Sequence, residues 1–133
     1  WRGQVFAVER DTDNLTHIRE NLARFGAFNV TVVEGEAPWA LRGLPAPSAV
    51  FVGGTGRWMK DVLQHVADAA DAGCRVVVNL ATLENLHEAL EAMRALGWSS
   101  QVTQVNLAQG ADIAGMTRLA PLNPVFIVVG EVA

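Results

Sequence analysis

Cysteine is almost missing from this sequence: Cys74 is the only one in 133 residues. A lone cysteine excludes an internal disulfide framework and suits a reducing compartment, so a cytoplasmic location is expected. Basic residues are also few, with ten Lys and Arg against fourteen Asp and Glu for a net charge of −4. They do not cluster, so no nucleic-acid partner is expected. No apolar run approaches the roughly 20 residues that span a bilayer, and no membrane partner is expected either. His17, His65 and His87 are widely separated, and none has a Cys or second His at ligand spacing, so no metal site is expected. What remains is ordinary and informative. Half the residues are apolar and 18% are charged, enough apolar surface for a core and too little charge for a disordered tail. The length fits a single domain over residues 1–133.

Apolar patterning sets the order of elements. Residues 4–8 form a short β-branched run that stops at Glu9-Arg10-Asp11, which reads as a buried strand. Leu15, Ile18, Leu22 and Phe25 then recur at helical spacing, after a cap at Asp11 or Thr12 and before Gly26. A second strand covers 30–33, a short helix 38–41 with Pro38 in its first turn, and a third strand 49–52. Met59, Val62, Leu63, Val66 and Ala70 mark a helix, 75–78 a strand, and Leu83, Leu86, Leu90 and Met93 a helix capped by Thr82. The rhythm then changes. Residues 101–108 and 125–129 read as strands joined by a loop, 109–124, without helical pattern. The expected fold class is α/β, a doubly wound, mostly parallel sheet with an antiparallel addition at one edge.

In such sheets ligands sit beyond the carboxyl ends of the strands, so the residues there are the candidates. Glu9 ends the first strand and can accept hydrogen bonds from both hydroxyls of a ribose; the alternative is a solvated loop carboxylate. Glu36 and Ala37 follow the second strand. An acidic group beside a small one suits an adenine edge, although Glu36 taken alone is better explained by a helix dipole. Gly53 and Gly54, in Gly53-Gly54-Thr55-Gly56, allow close approach of a ligand, but the spacing is neither a P-loop nor a dinucleotide fingerprint. Asn79 and Thr82 are neutral polar groups suited to orienting a substrate. Met116, Thr117 and Arg118 lie in the long loop, read as a substrate cover, where Arg118 can pair with a carboxylate. Cys74 reads as a small buried hydrophobe.

The order of these turns resembles the class I S-adenosylmethionine-dependent methyltransferases. Within that class, five motifs resemble the decarboxylating precorrin-6B methyltransferases: Val5-Phe6-Ala7-Val8-Glu9; Val32-Val33-Glu34-Gly35-Glu36-Ala37-Pro38; Ala49-Val50-Phe51-Val52-Gly53-Gly54; Val78-Asn79-Leu80-Ala81-Thr82-Leu83-Glu84; and Gly115-Met116-Thr117. That family acts at carbon 15 in cobalamin synthesis, alone or as the C-terminal half of a precorrin-6Y C5,15-methyltransferase. The resemblance implies S-adenosylmethionine as cofactor, a tetrapyrrole substrate and a homo-oligomer, a tetramer in stand-alone relatives. It puts Glu9 on the ribose, Glu36 and Ala37 beside the adenine, and Gly53 and Gly54 facing the methionine portion. Asn79, Thr82, Met116 and Arg118 fall where the substrate lies.

One departure accompanies it. The family's first strand and its glycine-rich turn have no counterpart here, and the absent strand would lie between the first and third strands of this sequence. Unpaired edges in a buried sheet are costly, so the expectation is a sequence incomplete at its N-terminus whose 133 residues alone do not bind the cofactor. Two other readings are a class I methyltransferase with another small-molecule substrate and a non-catalytic nucleotide-binding or assembly module.

Overall fold

A computed structural model describes residues 3–133, in which the chain divides into two compact units, Trp1–Leu44 and Pro45–Ala133. In the first, β1 (Val5–Glu9) and β2 (Val30–Glu34) pair in parallel from Val5↔Val30 to Glu9↔Glu34, joined by α1 (Thr12–Phe25). A parallel pair requires such a crossover. Asp11 caps α1, its Oδ1 accepting from the Asp13 and Asn14 amides at 3.0 Å each. Gly26 ends the helix at φ 63°, a left-handed conformation that glycine adopts without a Cβ penalty. The apolar stripe is buried at Leu15 and half-buried at Ile18 and Leu22, but Phe25 lies outside it and is exposed. The short helix expected at 38–41 is a single 3-10 turn, Trp39–Leu41. Pro38 precedes that turn as its cap, behind a cis peptide bond from Ala37.

The second unit carries a four-stranded sheet in the order β3–β4–β8–β5, made of β3 (Ala49–Val52), β4 (Arg75–Leu80), β5 (Ser99–Val105) and β8 (Val125–Glu131). β3 and β4 run parallel, whereas β8 is antiparallel to both β4 and β5. The antiparallel addition at one edge is therefore two strands deep, and the reversed strand is second from the edge, with β5 outermost. Among the described residues β1 pairs with β2 alone and β3 with β4 alone. Val76, Val78 and Leu80 on β4, Met59, Val62, Leu63 and Val66 on α2 (Met59–Ala69), and Ala89, Ala92 and Met93 on α3 (Leu83–Ala95) are the buried core with Val128 of β8. α3 lies against β4, β8 and β5. Gly130 makes that approach close: a Cβ there would meet Met93 Sδ at 3.0 Å.

The largest correction concerns residues 109–124. They are not an irregular loop but most of a β-hairpin, β6 (Ala108–Ile113) and β7 (Met116–Pro121), so Ala108 belongs to β6 and the preceding strand runs from Ser99 to Val105. The hairpin prolongs the β5–β8 ladder across a bulge. Asn106 and Leu107 stand between the pairs Val105↔Val125 and Ala108↔Pro121, opposite Leu122, Asn123 and Pro124, which is three residues against two. The glycines and prolines here suggest a loop locally; the pairing of the two segments with each other from Ala108↔Pro121 to Ile113↔Met116 overrides them. At the tip, Ala114 (φ 53°) and Gly115 (φ 75°) form a two-residue turn between Ile113 and Met116. Two positive φ values define a type I′ turn, which favours Asn-Gly over Ala-Gly. Ala114→Asn is expected to stabilise the hairpin by about 0.5 kcal/mol or more, since an alanine is strained in the left-handed region. Slower hydrogen exchange of the hairpin amides checks it.

Candidate functional site

Parallel pairing aligns the carboxyl ends of β1 and β2, and with them three carboxylates. Glu9 and Glu34 are directly paired, and Glu36 follows two residues later. Glu9 is half-buried and firmly held: Oε1 accepts from the Arg10 amide at 2.7 Å and the Asp11 amide at 2.9 Å, and Oε2 accepts from Asn14 Nδ2 at 3.3 Å. Such a carboxylate is ordered before any ligand arrives, and a carboxylate has about four lone-pair sites, so acceptor capacity remains. Glu36 Oε1 accepts from Arg10 Nη1 at 2.5 Å, and Arg19 Nη2 lies 3.6 Å from Glu34 Oε2. Two arginines thus offset the mutual repulsion of three neighbouring acids.

The turn carrying Glu36 depends on Gly35. Its φ is +152°, and a Cβ there would stand 2.9 Å from Ala40 Cβ. Glycine is required here twice over, by conformation and by space. Ala37 is half-buried beside it.

In the second unit the parallel register Val52↔Val78 places Gly53 and Asn79 at corresponding positions just past those paired residues. Asn79 still lies inside β4, which runs to Leu80, and it is exposed. Gly53 and Gly54 do not have positive φ values, and a Cβ on either would meet nothing within 4 Å. Their smallness therefore leaves room at the end of β3 and serves no packing contact. Thr82 caps α3, its hydroxyl oxygen accepting from the Asn85 amide at 3.2 Å, and is exposed. Met116 and Arg118 lie on β7, both exposed, with Arg118 opposite Ala111. Among the described residues Arg118 has no carboxylate partner. Its charge is available to a ligand.

The candidates are thus gathered in three places: Glu9, Glu36 and Ala37 at one pair of strand ends, Gly53, Gly54 and Thr82 past another with Asn79 still inside the end of β4, and Met116 and Arg118 on the hairpin. Sequence reasoning missed Arg10 and Asn14, which hold the carboxylates, although their proximity to Glu9 along the chain was a usable signal. It also missed Thr55, whose buried Oγ1 has no hydrogen-bond partner among the described residues. Such a group costs about 1–3 kcal/mol unless satisfied. Cys74 is buried, and burial followed by the nearby Asp71 charge raises its thiol pKa, so it stays protonated and unreactive at neutral pH. Among the described residues no group of three or more His, Cys, Asp or Glu could hold a metal ion. No helix of the described chain is long and apolar enough to cross a membrane.

Comparison with known proteins gives a consistent result. The family model described as a precorrin methyltransferase domain matches residues 2–130. The protein named "probable cobalt-precorrin-6B C(15)-methyltransferase (decarboxylating)" from Methanothermobacter thermautotrophicus is 33% identical over 126 residues, covering 94% of this chain and 66% of that relative. The crystal structure of a precorrin-6Y C5,15-methyltransferase from Geobacter metallireducens superposes with a TM-score of 0.90 at 35% identity, over 97% of this chain and 68% of that one. An S-adenosylmethionine-dependent O-methyltransferase from Thermotoga maritima, only 19% identical, shares the fold at a TM-score of 0.71, over 98% of this chain and 51% of its own. The chain thus spans about two thirds of the length of the precorrin relatives named here.

Proposed function

The chain belongs to the precorrin methyltransferase domain family, and from that premise we propose that it takes part in methyl transfer from S-adenosylmethionine to carbon 15 of precorrin-6B or its cobalt form, with decarboxylation of an acetate side chain, in cobalamin biosynthesis. The observation that carries this reading is the prearranged Glu9 carboxylate at the carboxyl end of a parallel strand. That is the chemistry a ribose diol needs, two acceptors fixed at the rim of an α/β sheet. Within the first unit Glu9 suits the ribose and Glu36 and Ala37 the adenine, and the family resemblance assigns Gly53 and Gly54 to the methionine portion.

When bound, S-adenosylmethionine supplies a methyl group on sulfur that is already strongly electrophilic. The protein does not need a nucleophile of its own, because the electron-rich macrocycle provides the attacking carbon. The work left to the chain is alignment and exclusion of water, which can lower a barrier by several kcal/mol. Asn79, Thr82 and Arg118 are the groups to hold the acidic tetrapyrrole, with Met116 giving apolar contact. As the substrate's acetate loses its carboxylate as carbon dioxide, the bonding pair enters the macrocycle; an arginine beside that carboxylate would stabilise the reactant charge, so Arg118 belongs with binding of the other acidic side chains.

The test is an assay of the full-length gene product containing residues 1–133, scoring methyl transfer and carbon dioxide release on precorrin-6B. One methyl group transferred per carbon dioxide released is the expected result. Arg118→Ala should raise KM for the tetrapyrrole about tenfold, the loss of one charge-assisted contact. Methylation without decarboxylation would favour another small-molecule substrate, and cofactor binding without turnover would favour a nucleotide-binding module.

Residues 1–133 act as one methyltransferase domain in this proposal, supported by a family match that runs unbroken across both units. A homo-oligomer, a tetramer, is also part of it. Leu119 is exposed on the hairpin face opposite Met116 and Arg118, and Leu107 and Leu122 are exposed at the hairpin's base; a second copy would cover these apolar groups. A cytoplasmic location accords with the lone reduced Cys74.

A further inference from the structure

We infer that Arg10 is a positioning residue for Glu36, holding its carboxylate where it can accept from the exocyclic amine of the adenine; this rests on the adenine reading of Glu36 above. Arg10 is the first residue past β1 and touches both carboxylates of the site. Its amide donates to Glu9 Oε1 at 2.7 Å, and its guanidinium Nη1 donates to Glu36 Oε1 at 2.5 Å. The two acids lie 27 residues apart in sequence, and the parallel β1–β2 register fixes the distance that the arginine bridges.

The exposure of the pair argues for a geometric role. The arginine side chain is 68% exposed and that of Glu36 36%. An ion pair so open to water adds little to stability, because solvent screens it and ordering two long side chains costs entropy. What it does change is the freedom of Glu36. An unpaired glutamate explores several rotamers, and a ligand that needs one of them must then bear the ordering cost on binding. Arg10 removes that cost in advance. It also supplies positive charge at Glu36 itself, so that Glu36 need not turn away from its like-charged neighbours. The planar guanidinium fork sets direction as well as charge, which a lysine ammonium would not.

The experiment measures binding of S-adenosylhomocysteine and of its 6-oxo analogue S-inosylhomocysteine, which presents a carbonyl where adenine has its amine, to the full-length gene product. The unaltered protein should prefer the adenine compound. Arg10→Ala should cut that preference about tenfold and raise KM for S-adenosylmethionine with kcat changed less than about twofold. Arg10→Lys should retain an intermediate preference. Glu36→Gln should lose it, and the double variant should lose no more than Glu36→Gln alone, because the arginine acts through that carboxylate. If Glu36→Gln loses the preference while Arg10→Ala keeps it, the arginine inference is overturned and the adenine reading stands. If Glu36→Gln itself keeps the preference, the adenine reading fails and the inference falls with it.

Discussion

Glu9→Ala in the full-length gene product is expected to weaken binding of S-adenosylhomocysteine about 100-fold or more. Two hydrogen bonds from ribose hydroxyls to an ionised acceptor are each worth about 1.5–3 kcal/mol, and 1.4 kcal/mol is a factor of ten. Folding should be little affected, because the groups Glu9 now satisfies, the Arg10 and Asp11 amides, belong to exposed residues where water can replace it. Glu9→Gln separates charge from shape. With its oxygen kept on the two amides, its nitrogen would face Asn14 Nδ2, donor against donor, and could not accept from the ribose. It should therefore weaken binding nearly as much as alanine. Titration calorimetry with matched thermal melts distinguishes the cases; unchanged affinity in either variant removes Glu9 from the site.

Gly35→Ala should act through the backbone. A residue with a Cβ at φ +152° is strained by about 1–3 kcal/mol. The new atom would also stand 2.9 Å from Ala40 Cβ, which is far too close. Relief requires the Gly35–Glu36–Ala37 turn to move, and Glu36 moves with it away from Arg10. Cofactor affinity is expected to fall about 10- to 30-fold, with KM raised more than kcat is lowered. Gly53→Ala is the contrast, since nothing lies within 4 Å of a Cβ there. Any loss of affinity in Gly53→Ala reports a ligand in that space, because the protein itself has no objection to the methyl group. A Gly35→Ala variant with full affinity would mean that the turn is not part of the cofactor site.

Much of this was legible in the residues. The capping roles of Asp11 and Thr82, the ending of α1 at Gly26 and the core residues Met59, Val62, Leu63 and Val66 of α2 follow from local periodicity and side-chain chemistry that act over a few positions. On α3 the expected stripe is buried only at Met93, Leu83 is exposed, and Ala89 and Ala92 fill the core instead. Glu9 and Glu36 could be singled out because strand ends are where α/β sheets bind ligands. The hairpin was hidden. Residues 108–121 have too few β-branched and aromatic side chains to announce strands, and they pair because the β5–β8 ladder delivers them to each other in register. Phe25 shows the opposite error, since it keeps the helical spacing yet lies at the far end of α1, beyond what the strands cover.

By itself the sequence determined most of the strands and helices up to Val105, which acids stand at strand ends and which family the chain resembles, because all three depend on near neighbours or on motif order. Only the tertiary structure decided that the Arg10 guanidinium reaches Glu36 and that residues 108–121 form a hairpin. These are contacts set by strand register and helix placement, which bring distant positions within hydrogen-bonding reach, and no local pattern of residues encodes that distance.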